Sequence, residues 1–415
     1  MKGRVSARSL RGGYGMKRFL ENKEYDVAVC GGGFGGISAA LAAAREGAKV
    51  VLFEKEYMLG GLGTAGLVTI YLPLCDGFGH QVSFGIAEEL FRLSIKYGAD
   101  GRYPANWLDG VGTRGENDPR YEVIYNPQVF AILAEKLLLS EGVDIMYGSY
   151  VVDTAVEDGK IKSLAVENKS GCTQYFIRSV VDATGDCDIA HFADAGCVEY
   201  TRGNVLAAWH YFASAGEGYH LRMHGYADIP EEELKGREQT HLIDRRFSGL
   251  CGKELSEMTA LSHEQVLNAY LAQKEKDPSV SLATIATIPQ VRMTRRIDGA
   301  YTLTYAEMHT RFEDSIGMVS NWKKRGPVWE VPFGTLISPK IKNLLAAGRC
   351  TSVDERLWDV MRVIPCCAVT GEAAGLAAAM TDDTSKLNVA KLQEKLVKNG
   401  VVLHVSDVIP EKKEG

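Results

Sequence analysis

Residues 25–54 read YDVAVCGGGFGGISAALAAAREGAKVVLFE, one complete βαβ unit. An apolar strand runs into a glycine turn, an alanine-rich helix follows, and a second strand from Lys49 to Phe53 ends in a carboxylate. Gly31, Gly33 and Gly36 occupy the G-x-G-x-x-G positions, where missing side chains permit a tight turn, close approach of backbone to a pyrophosphate, and close helix-to-sheet packing. The phosphates of a dinucleotide would rest on the helix N-terminus. Glu54 lies eighteen residues beyond Gly36, placed to accept hydrogen bonds from ribose hydroxyls and to repel a 2′-phosphate. An ordinary glycine turn lacks this coincidence of strand, helix, the small residues Ala39, Ala40 and Ala43, and an acid at the expected distance.

Outside this unit the bulk numbers narrow the class. A chain of 415 residues exceeds one simple core, so two domains are expected. Net charge −6 with 24% charged residues provides no basic field for nucleic acid or acidic membranes. Nine cysteines without a C-x-x-C pair suit a reducing compartment, and the adjacent Cys366 and Cys367 have poor spacing for a cluster. The early lysines and arginines precede no apolar signal-peptide core, and the uncharged run Val27–Ala44 carries five glycines, so neither secretion nor a membrane span is expected. The expected location is cytoplasmic. Residues 1–24 form a basic, flexible extension in this reading.

Farther along, MLGGLGTAGLV, containing Gly61 and Thr64, reads as an extended loop against something buried. Ser83–Tyr97 reads as a helix, and Asn126-Pro127 opens another that stops at Gly142. A polar, aromatic-rich insertion near 98–125 separates them. Residues 147–182 alternate around two turn sequences as a β-meander, and a strand Val180–Ala183 ends in Thr184-Gly185-Asp186. The segment 201–335 changes character, with a helix expected at Glu264–Lys274 capped by Ser262. A further strand then ends in Gly348, and Pro365–Met380 is helical with small residues Ala373, Ala374 and Gly375. The fold class is therefore α/β: a Rossmann-like FAD-binding domain of parallel sheet plus β-meander (25–200 and 336–382), interrupted by a mixed α+β substrate domain (201–335). A C-terminal helix and tail occupy 383–415.

FAD is preferred to NAD because the chain returns to the nucleotide three times, which suits a long cofactor lying across the sheet. The helix opening at Ile364-Pro365 would aim its positive end at the flavin ring.

The blocks VCGGGFGGISAALAAAREG, GGLGTAGLV, VVDATGD, RRIDGAYTLT, NLLAAGRC and RVIPCCAVTGEAAGLAAA resemble the bacterial FAD-dependent oxidoreductases related to fumarate reductase and succinate dehydrogenase flavoproteins. The resemblance implies a glutathione-reductase-type FAD domain. It implies that Glu54, with Lys55, meets the ribose, Val152 lies close to adenine, and Val363–Pro365 lie near the flavin pyrimidine. It adds Ala183, Arg349, Arg362 and Ile364 to the cofactor-binding set. The loop GGLGTAGLV has no histidine where relatives attach FAD covalently, so FAD should be noncovalent. Family arginines deliver a proton or hold substrate carboxylates, which singles out Arg292, Arg295 and Arg296. The sequence departs from the family pattern at SVDERLWDV and at MVSNWKK, so substrate identity does not transfer.

Among catalytic candidates, Arg292 and Arg295 would clamp a carboxylate through a planar fork, the alternative being solvated or ion-paired arginines. His80, in PLCDGFGH beside Cys75 and Asp76, is the candidate for proton exchange. His220 and His224 have the spacing of two ligands on one helical face, yet no companion ligands complete a set, so no metal is expected. The expected reaction is hydride transfer between a small polar metabolite (carboxylic acid, polyol or sugar) and FAD. No second nucleotide domain is evident, so a separate electron donor or acceptor is expected, and a homo-oligomer is open. The rival readings are an FAD protein with a structural or non-redox role, and an NAD-dependent dehydrogenase.

Overall fold

The computed structural model describes residues 22–99, 103–110, 114–216, 218–225, 228, 234 and 238–409. In chain order the strands are β1 (Asn22–Cys30), β2 (Val50–Phe53), β3 (Ile70–Tyr71), β4 (Val123–Ile124), β5 (Asp144–Met146), β6 (Tyr150–Glu157), β7 (Lys160–Asn168) and β8 (Gly171–Asp182). They continue as β9 (Cys197–Glu199), β10 (His210–Ser214), β11 (Gly218–Arg222), β12 (Ser281–Ile285), β13 (Arg295–Ile297), β14 (Ser315–Ser320), β15 (Val328–Pro332) and β16 (Leu344–Ala346). The first helix, α1, is Phe34–Arg45.

The main sheet has the order β5-β2-β1-β8-β7-β6, with β16 also on β8. Strands β5, β2, β1, β8 and β16 run parallel, whereas β6, β7 and β8 form an antiparallel meander. The last strand of the meander and the strand Val180–Ala183, expected as separate strands, are one strand of 12 residues ending at Asp182. Its early residues pair with β7, as in Ser163 with Phe176, and its last three with β16, as in Val180 with Leu344. β1, from Asn22 to Cys30, covers the other edge from Gln174 to Asp182.

Helix α1 is buried on all sides from Phe34 to Ala43, as its alanine-rich composition requires. It packs against the helix Ile364–Met380, which is itself buried from Ile364 to Ala378 and also meets β8, β16 and β1 of the sheet. The two backbones nearly touch: a Cβ on Gly371 would sit 2.2 Å from the Gly35 carbonyl oxygen, and one on Gly375 2.0 Å from that of Ala39. Asn126 caps Pro127–Ser140 through its side-chain oxygen, which accepts from the Gln128 and Val129 amides.

Several boundaries differ from the sequence reading. Asn22–Glu24, assigned to the flexible extension, begin β1; residues 1–21 lie outside the described residues. Parts of the insertion near 98–125 and of the C-terminal tail also lie outside them. The helix expected over Ser83–Tyr97 is Ile86–Ile95. The helix expected at Glu264–Lys274 runs from Gly252 to Lys276, with Ser262 inside it, bonded to the Ala207 carbonyl rather than capping. Only Met258 and Val266 are buried along that helix, so its sequence carries little periodicity. It packs near a small sheet ordered β11-β10-β12. Later residues of the 201–335 segment, among them Leu303, Ile316, Val319 and Trp329, enter the same core as α1.

Candidate active site

The site grows from the glycine turn. Gly36 has no room for a side chain, because a Cβ would fall 1.8 Å from the Gly31 carbonyl oxygen. A Cβ on Gly33 would meet nothing within 4 Å: this position opens onto a cavity. Gly33 is also the N-cap of α1, and no side chain caps the helix there. The second glycine loop closes on the first, the Gly60 amide donating to the Gly32 carbonyl at 2.8 Å. Behind the wall, Thr64 Oγ1 donates to the Leu59 carbonyl at 2.5 Å and the Tyr125 hydroxyl to the Gly63 carbonyl at 2.6 Å.

Glu54 is 5% exposed. One carboxylate oxygen accepts from the Gly32 amide at 2.7 Å and the other from the Glu56 amide at 2.8 Å. Burial raises its pKa above the ordinary carboxylate value, and those two amides oppose the rise.

The cavity is lined in sequence by Gly31, Gly33, Glu54, Lys55 and Gly61, then by Ala183, Thr184, Gly185 and Asp186, then by Gly348, Arg349, Arg362 and Ile364. Three widely separated stretches therefore share one wall. Gly36, Thr64 and Val363 stand off the wall and support it, Val363 as the N-cap of Ile364–Met380, again without a capping side chain. At the meander end the wall is Ser149, Tyr150 and Val151. Val152, at the register irregularity between Val151 and Asp153, does not line the cavity.

The family profile described as FAD dependent oxidoreductase matches residues 26–205 and 199–396. The chain belongs to the FAD dependent oxidoreductase family. FAD is its cofactor, and the protein is an oxidoreductase enzyme. The chain is 25% identical over 200 residues to a digeranylgeranylglycerophospholipid reductase of Thermoplasma volcanium, covering 45% of this chain and 46% of the relative. It is 30% identical over 174 residues to a thiamine thiazole synthase of Methanococcoides burtonii, covering 41% and 59%. It spans less than two thirds of the length of these relatives. Among solved structures, a geranylgeranyl bacteriochlorophyll reductase-like protein from Thermoplasma acidophilum covers 92% of this chain and 85% of its own, with 15% identity and a TM-score of 0.49. A flavocytochrome c3 fumarate reductase covers 86% and 78%, with 15% identity and a TM-score of 0.38.

The residues present fit FAD. Two uncapped helix N-termini, at Gly33 and Val363, border the cavity, and the space over Gly33 is free for a phosphate to approach the backbone. No single helix among the described residues is long and apolar enough to cross a membrane.

Of the arginines, Arg349 braces the cavity wall. It donates to the carbonyls of Val291 and Arg292 at 3.2 and 3.0 Å and reaches Asp186 at 3.3 Å. Asn204 accepts the backbone amides of Arg292 and Met293, so this segment is pinned from both sides. The Arg292 guanidinium is buried 5.8 Å from the Trp209 ring centroid, and its Nη1 has no hydrogen-bond partner among the described residues. Burial and the neighbouring Arg362 lower its pKa to about 10.

The other candidates are placed differently from expectation. Arg295 donates to the Asp186 carbonyl at 3.0 Å and to Asp188 at 2.7 Å, so its fork is committed to the loop that lines the cavity. Arg296 donates to the Ile297 carbonyl and Ser352. His80 does not line the cavity; its Nδ1 lies 2.8 Å from the buried carboxylate of Asp76. His220 stands on strand β11, not on a helix, with His224 beyond the strand. Cys366 and Cys367 are free buried thiols, and Cys367 reaches the cavity wall. Sequence reasoning missed Val291, Pro289 and Gly249 on the wall, which no glycine motif marks.

Proposed function

We propose that the enzyme transfers a hydride between noncovalently bound FAD and a small polar metabolite bearing an anionic group, with Arg292 holding that anion. The carrying observation is a buried guanidinium with an unpartnered Nη1 on the residue next to the wall residue Val291. Asp359 and Asp228 act on this cation only through space; a desolvated cation without a directly bonded acid costs several kcal/mol, and a substrate carboxylate would offset that cost. Lowered only to about 10, Arg292 remains a cation near neutral pH, so it orients the anion and does not shuttle protons.

Bound FAD supplies the hydride acceptor or donor. The chain's residues do the rest: Arg349 and Asn204 fix the backbone on which Arg292 stands, and Arg295 fixes the 186–188 loop. Arg362, held by Asp359, adds positive potential beside Arg292. The N-terminus of Ile364–Met380 favours negative charge at its end of the cavity. Electrons would pass to a separate donor or acceptor.

The test is anaerobic addition of hydroxy acids, enoates, polyols and sugars to oxidised and to reduced enzyme, read by the flavin absorbance. Bleaching or reoxidation confined to carboxylates is expected. A response to neutral polyols alone would overturn the anion reading, and no response in either direction would favour a non-redox role. Acid precipitation should release the flavin.

A further inference from the structure

Three of the nine cysteines meet on the far side of the cofactor loop. Cys187 Sγ lies 3.8 Å from Cys197 Sγ, and the Cys187 amide donates to Cys350 Sγ at 3.2 Å. Cys187 and Cys350 are buried, whereas Cys197, at the start of β9, is only partly so. Asp182 completes the group, but its carboxylate already accepts from the Thr184 amide, the Thr184 hydroxyl and the Ala190 amide. Those bonds hold the turn 182–190 and leave the acid poorly suited to a metal ion. The arrangement is one solvent-reachable thiol in contact with a second, buried one.

We infer that Cys197 and Cys187 are an oxidisable dithiol, which a hydroperoxide converts to an intrachain disulfide joining β9 to the cofactor loop. The Cys197 thiolate attacks the peroxide: an S–O bond forms, the O–O bond breaks, hydroxide leaves, and sulfur is oxidised by two electrons to a sulfenic acid. Cys187 then attacks that sulfur, the S–S bond forms, the S–O bond breaks, and water leaves. The hydrogen bond with Cys187 and the nearby Arg295 draw the Cys197 thiol below its usual pKa, while contacts with Cys197 and Cys350, and burial, push Cys187 up. The attacking and resolving roles follow from exposure and agree with those directions.

The link has a structural consequence. β9 pairs with β13, whose Arg295 already grips Asp186 and Asp188. A disulfide would add a covalent tie between this strand pair and the loop lining the cavity.

FAD-loaded full-length protein is treated with hydrogen peroxide, quenched in acid, unfolded, alkylated and mapped as peptides. Two thiols per chain should become unavailable, the Cys187 and Cys197 peptides should be cross-linked, and dithiothreitol should reverse both. Cys187→Ser should leave a dimedone-reactive sulfenic acid at Cys197, and Cys197→Ser should abolish both products. The inference is overturned if both cysteines remain alkylatable in the oxidised wild type, if the cross-link joins other cysteines, or if a stoichiometric thiophilic metal ion protects the group. The wild-type map decides even where a variant does not fold.

Discussion

Arg292 carries two opposite demands. A buried guanidinium with an unpartnered nitrogen destabilises the free protein, so Arg292→Met should raise the melting temperature. The same change should raise KM for an anionic substrate by roughly thirtyfold or more, the equivalent of about 2 kcal/mol for a lost charge-assisted contact. FAD content should stay the same. Scanning calorimetry beside steady-state kinetics checks both signs, and a merely structural arginine would give a melting temperature that falls. Glu372 makes a second prediction. It is buried on Ile364–Met380, accepts from the Ile86 amide at 2.7 Å, and burial pushes its pKa up to about 8. Its folded value lies above the unfolded one near 4.5, so its stabilising share is complete below the lower value and is lost as pH rises through the higher. Glu372→Gln should therefore flatten the decline of melting temperature between about pH 5 and pH 9.

At the scale of elements, the crossing of α1 with Ile364–Met380 depends on Gly371 and Gly375. Gly375→Val forces apart two backbones that nearly touch and should cost on the order of 3 kcal/mol, with loss of bound FAD, read by chemical denaturation and flavin absorbance. Gly33→Ala should instead fold normally, since a Cβ there meets no protein atom, yet bind FAD more weakly. These elements were legible because their cause is local: the glycines, the alanine run and the turn residues each impose a conformation on their own neighbours. The helix Gly252–Lys276 was only half legible, because two buried residues in 25 leave almost no periodic signal. Strand β8 was divided in the reading because its partner changes halfway, from β7 to β16, a fact of tertiary pairing. At the cavity, the wall includes glycines read from their motifs and Arg349, which the resemblance implied. The separation of Arg292 from Arg295 was not, because RMTRR does not reveal which arginine meets an acid across the fold.

For the molecule as a whole, the cavity wall is assembled from three distant parts of the chain, so a cofactor bound there would tie them together. FAD at a hundredfold excess over its Kd should stabilise the fold by about 2.7 kcal/mol. Differential scanning fluorimetry should show a higher melting temperature with added FAD and none with NAD; the reverse would restore the dehydrogenase reading. The position of β16 and Ile364–Met380 late in the chain has one more consequence. On the ribosome, α1 is made with no partner for the face that Gly371 and Gly375 later cover, and the wall formed by Gly348, Arg349, Arg362 and Ile364 follows some three hundred residues behind it. The nascent protein must therefore keep its first βαβ unit from aggregating until Ile364–Met380 has been made, and flavin loading waits on the arrival of that helix.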